Sequence, residues 1–208
     1  MFVGHLSVAL AAKRLEPTVS LGTWTLAAVL ADLVAFPLLL AGVESFHIDP
    51  TVATNRMLGH IPYSHSLLMD VVWALLFAGS FFLLRRSARA AWLLFAAVLS
   101  HWVLDVISHR PDMQLAPGLH TVFGLGLWNS LPATLAIEGG FWIAAILLYR
   151  GRTFVFWLGT ALWTLLWIGN VTNGANPDPV RAGIGGLIVF SLIIAWAYWM
   201  NIRVAQVP

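Results

Sequence analysis

Apolar residues in this chain come in long runs, not in narrow stripes. Segments 21–43, 65–84, 88–108, 130–149, 153–172 and 183–202 are each predominantly apolar. Each is close to the roughly 20 residues that a helix needs to cross a bilayer. The joints between them are short, and Pro, Gly or Arg marks most of them ("RRSAR", "YRGR", "NGANPDPVRAG"). The pattern predicts six spans in one all-α polytopic membrane bundle over residues 1–208, with no internal repeat. The opening stretch, "MFVGHLSVALAAKRLEP", is different. It is too short before Arg14 to span, and its basic pair follows the apolar residues, the reverse of a secretory signal. It reads as a short helix over residues 2–14 that dips into the bilayer without crossing it.

Composition agrees. The 208 residues are 60% hydrophobic and 10% charged, against about 25% charged in a soluble domain. Eleven Trp suit the aromatic belts of a membrane protein, and the absence of Cys removes disulfides and thiolate metal sites. The pI near 9.5 comes from charges scattered over loops, so the bilayer and not nucleic acid is the expected partner. Six alternating spans put Lys13, Arg14, Arg85, Arg86, Arg89, Arg150, Arg152 and Arg203 on the side of the N-terminus. Arg56, Arg110 and Arg181 fall on the other. The positive-inside rule then places both termini in the cytoplasm, as in a bacterial inner-membrane protein.

Polar residues inside the spans carry the chemistry. Asp32, Asp70, Asp105 and Glu138 lie there, with no Lys or Arg to pair with. An ionised carboxylate at the bilayer centre costs on the order of 3 kcal/mol, so these acids face the bundle interior and need protonation, histidine or a bound cation. "SHWVLDVISHRPD" sets His101, Asp105 and His109 at steps of four, on one stripe of a helix. At about 1.5 Å of rise per residue, His101 lies roughly 20 Å from the inner face. Asp32 falls near the midplane, and Glu138 comes in from the outer end of the fourth span. His60 and His65, in "GHIPYSHSLLMD", stand at the outer start of the second span, and His5 at the deep end of the N-terminal helix. All reach the outer half of one interior.

Histidine and carboxylate without sulfur suit zinc or another divalent metal that keeps open positions for water and substrate. Blander readings stand beside this one. An H-x-x-x-D pair is often only a hydrogen bond, and Asp70 reads as a protonated or Ser66-bonded acid. His47 and His120 read as solvated loop residues, and His60 is divided between ligand and surface.

An early "GH", an Asp ending "AAVLAD", then "YSHSLL" and "SHWVLDVISH" follow one another in that order. In this the chain resembles the membrane-bound metal-dependent hydrolases, distant relatives of zinc-dependent phospholipase C and the zinc single-strand nucleases. The resemblance covers residues 1 to 140, and His65–Ser66 and His101–Asp105 are its most specific pieces. It implies metal ligands at His5, Asp32, His65, His101 and Asp105, with Glu138 as the late acidic residue. Two departures stand out. Val34 replaces a second acid after Asp32, and "HIP" at His60 replaces a family "HRG".

Two functions follow as expectations. The first is a hydrolase of phosphoesters in lipid or lipid-linked substrates, with Asp32 or Glu138 as base or bridging ligand and metals that activate water and neutralise phosphoryl oxygens. The metal set would be drawn from His5, Asp32, His60, His65, His101, Asp105, His109 and Glu138. Residues 111–130, rich in Pro and Gly, would form a lid or entrance at the outer face. The second is a permease that uses the cluster as a proton or cation relay. The lack of a visible inverted repeat argues against it.

Overall fold

The computed structural model describes residues 1–49, 51–54, 57–173 and 178–204. Arg56, counted above on the outer side, lies outside the described residues.

Helix α1 (Phe2–Leu15) forms where the sequence places it, packed among other helices. Apolar residues occupy all sides of it, so it is satisfied by burial among other helices and not at an interface. Val3, Leu6 and Leu10 join one apolar cluster with Trp142, Phe156, Trp163 and Ile193. Ala9 enters another, with Trp24, Leu94 and Val98. The helix lies at the heart of the bundle.

The first expected span is broken. Ser20 caps α2 (Leu21–Ala28), its hydroxyl accepting the Thr23 N–H at 3.0 Å. The chain then bends by 54° at Val29 into α3 (Leu30–Leu40). Beyond it, the strands β1 (Ser45–Ile48) and β2 (Met57–His60) pair antiparallel, with Ser45 opposite His60.

One helical turn, α4 (Pro62–His65), leads into α5 (Leu67–Arg85). Arg86 takes the left-handed conformation, φ 55°, and turns the chain back. Ser87 caps α6 (Ala88–Ser108) by accepting the Ala90 N–H at 3.4 Å, and α5 and α6 pack as a hairpin. A second ribbon, β3 (Met113–Gln114) with β4 (Val122–Phe123), and a 3-10 turn at Leu127–Asn129 precede α7 (Leu131–Leu148). Helices α8 (Phe154–Asn173) and α9 (Pro179–Val204) complete the bundle.

The fold is the all-α bundle expected, with two small ribbons that the apolar pattern did not announce. Among the described residues, five helices, α5 to α9, are long and apolar enough to cross a membrane, and α2 with α3 make a sixth span if the bent pair is taken as one. Apolar side chains cover much of the outside. Leu84, Phe154 and Trp92 are 82%, 80% and 69% exposed, as suits a surface covered by hydrocarbon and not by water. Glycine brings α9 close to its neighbours: a Cβ on Gly186 would lie 2.2 Å from the Phe36 ring, and one on Gly22 would lie 2.2 Å from the Tyr198 ring.

Candidate metal centre

The break at Val29 makes the first half of the site. In an unbroken helix the Ala28 carbonyl would accept the N–H of residue 32. Here it instead accepts from His101 Nδ1, at 2.9 Å. The same break places Asp32 in the first turn of α3. His101 and Asp105, one turn apart on α6, complete the other half with His5 from α1 and His65 from α4.

Their polar atoms converge. His65 Nε2 lies 3.2 Å from His101 Nε2, 3.6 Å from Asp32 Oδ1 and 3.7 Å from Asp105 Oδ2. His101 Nε2 lies 3.3 Å from Asp105 Oδ2 and 3.9 Å from Asp32 Oδ2. Asp105 uses both oxygens: Oδ1 is 3.1 Å from His5 Nε2, while Oδ2 also meets His109 Nε2 at 3.7 Å. Two triads share His101, namely His5–His101–Asp105 and Asp32–His65–His101, each with its ligand atoms within 4.8 Å of one another.

The outward nitrogens explain which atoms point inward. His101 Nδ1 faces only a carbonyl, so it carries the hydrogen. His65 Nδ1 lies 2.7 Å from Ser64 Oγ, whose own hydrogen goes to Glu44 Oε2 at 2.7 Å, so His65 Nδ1 also donates. His109 Nδ1 lies 3.1 Å from Asp112 Oδ1. In neutral rings, Nε2 of His65 and of His101 therefore holds a lone pair, and the two are 3.2 Å apart beside two carboxylates. Lone pairs and negative oxygens gathered in a buried cluster repel unless a proton or a cation lies among them. Zinc with ligands at 2.0–2.2 Å separates tetrahedral neighbours by about 3.3 Å. Separations of 3.2–3.9 Å fit that requirement. The group is able to hold a metal ion.

Not every candidate joins it. His60 is exposed at the end of β2, outside both triads, because the ribbon with β1 holds it opposite Ser45. Glu138 is buried and accepts the Gly4 N–H at 3.3 Å; it lines the same cavity but belongs to neither triad. His109 stands at the edge of the cluster, its ring 4.4 Å from Trp128, which residues 111–130 bring to the cavity wall. Asp70 is held by the Trp102 N–H at 3.1 Å and not by the Ser66 hydroxyl, which has no partner. His47 and His120 are exposed.

Two groups escaped the sequence reading. Glu44, 2% exposed, is one, and nothing in its loop context marks it. The Met1 α-amino group is the other, against Asp105 Oδ1 and 3.0 Å from His5 Nε2.

The cluster opens on a cavity of about 500 Å³. Asp32, His65, Asp105 and His109 form part of its polar lining, and Phe36, Leu39, Phe46, Leu166, Val189 and Phe190 part of its apolar lining. Comparison with family models, characterised proteins and solved structures found no match. The ligand assignment therefore rests on geometry.

Proposed function

We propose that this protein is a membrane-embedded, divalent metal-dependent hydrolase, zinc being the metal the ligand set suits, that cleaves a phosphoester in a lipid or lipid-linked substrate. The observation that carries the reading is the inward convergence of histidine lone pairs and carboxylates on a cavity whose remaining lining is mostly apolar, with Glu138, Asn170 and Arg181 as its other polar residues. His5, Asp32, His65, His101 and Asp105 would hold metal, with His109 at the margin. A divalent ion there supplies Lewis acidity, which activates water near neutral pH and neutralises charge on phosphoryl oxygens. Asp32, which lines the cavity with its side chain 22% exposed, would serve as bridging ligand or as the base that takes a proton from attacking water. Glu138, which lines the same cavity, is the second candidate base. The apolar lining would accept the substrate's hydrocarbon, entering sideways from the outer leaflet of a bacterial inner membrane, with both termini cytoplasmic.

Metal analysis of the detergent-purified protein, beside phosphoesterase assays on lipid and soluble substrates, tests this. Stoichiometric metal with turnover of a lipid phosphoester supports it. Metal-free protein that carries protons or cations across vesicles would establish the permease reading instead.

A further inference from the structure

We infer that Glu44 is a positioning residue of the metal centre, acting through Ser64 to fix His65 with Nε2 as its ligand atom. The inference rests on the metal reading above and concerns a residue outside the ligand set. Glu44 follows α3, is 2% exposed, and has both carboxylate oxygens committed. Oε1 accepts the backbone N–H groups of Tyr63 at 2.9 Å and Ser64 at 2.8 Å, and Oε2 accepts the Ser64 hydroxyl at 2.7 Å. A serine hydroxyl has one hydrogen. With that hydrogen given to Glu44, Ser64 Oγ offers only lone pairs to His65 Nδ1, 2.7 Å away. His65 must then donate from Nδ1, which leaves Nε2 bare toward His101, Asp32 and Asp105.

Groups that orient ligating histidines in this way set ring direction and basicity, and their loss typically weakens metal binding 10–100-fold. Here the chain of bonds also ties the segment that follows α3, the helix whose first turn carries Asp32, to the turn that carries His65.

Glu44→Gln isolates the effect. The amide oxygen can still accept the Tyr63 and Ser64 N–H groups, so the turn keeps its support. The amide N–H₂ faces Ser64 Oγ as a donor, so the hydroxyl hydrogen is free to turn to His65 Nδ1 and favour the Nε2–H tautomer, which must give up that hydrogen before Nε2 can ligate.

The test uses the full chain in detergent with ¹⁵N-labelled histidine. Long-range ¹H–¹⁵N spectra of the metal-free protein read the His65 tautomer, Co(II) titration by absorbance reads affinity, and thermal melting of the metal-free protein reads the fold. The expected result is Nδ1–H in the wild type and Nε2–H in Glu44→Gln. Co(II) affinity should fall 10–100-fold, with the metal-free melting temperature unchanged. A wild-type tautomer or wild-type Co(II) affinity in Glu44→Gln overturns the inference. Should that variant fail to fold, Ser64→Ala decides: a loss of Co(II) affinity of tenfold or more supports the inference and a smaller one overturns it. A wild type that shows Nδ1–H but binds no Co(II) keeps the relay and refutes the metal-dependent function.

Discussion

The rings of His5 and His101 stack, 3.7 Å between centroids and 6° from parallel, and each presents Nε2 to a different oxygen of Asp105. Helix α1 is therefore part of the centre. A short helix that does not span supplies one face of the site and fills the core on both of its own sides. Without α1 in place the cluster lacks His5.

His101→Ala and Asp105→Ala should each strip bound metal. His101 belongs to both triads, and Asp105 touches His5, His65, His101 and His109. Asp105→Ala also leaves the buried Met1 ammonium without its carboxylate, at a cost of roughly 3–5 kcal/mol. Elemental analysis of the purified variants measures the loss. Metal content that survives both substitutions would reduce the cluster to a hydrogen-bond network.

Chelator should lower the melting temperature at pH 7. A ligand at 100 times its dissociation constant stabilises the native state by about 2.7 kcal/mol, and its removal forfeits that amount. At pH 5 the effect should shrink, because protons compete for the histidine nitrogens and metal is already released. Melting curves with and without chelator at the two pH values check this. Indifference at pH 7 would count against a resident metal.

Gly186→Val should damage the cavity and leave the ligands in place. Its Cβ would lie 2.2 Å from the Phe36 ring, in the wall shared by α3 and α9. Overpacking of this kind costs about 1–3 kcal/mol. The expected outcome is unchanged metal content with reduced turnover of a lipid substrate. Unaltered turnover would show that this wall does not receive substrate.

Asp49 gives a pH signature away from the spans. Its carboxylate accepts the Thr51 hydroxyl at 2.6 Å and N–H at 2.9 Å, and pairs with Arg110. The Thr51 bonds first, with Arg110 adding, hold it below the usual carboxylate value. A lowered folded pKa contributes stability that is complete above the unfolded value, about 3.9, and is lost as pH falls through the folded one. Amide exchange at Thr51, corrected for its intrinsic rate, should stay flat from pH 8 to 5 and accelerate below about 4. Loosening between pH 7 and 5 would assign control of these loops to a histidine.

The sequence by itself determined the helices and the α6 ligands, because both depend on local periodicity. A run of about 20 apolar residues can satisfy its backbone in hydrocarbon only as a helix, and residues four apart share a face of any helix. His101 and Asp105 therefore had to point the same way. The break at Val29 was not legible, since "AAVLAD" carries no Pro or Gly at the bend; the free Ala28 carbonyl exists because His101, far along the chain, takes it. The sequence favoured His65 but left His60 divided between ligand and surface, because its place turns on the register of the ribbon. Glu44 was invisible for the same reason. A carboxylate in a loop reads as solvated until the fold brings three hydrogen-bond donors to it, and only tertiary packing could place Tyr63, Ser64 and His65 there.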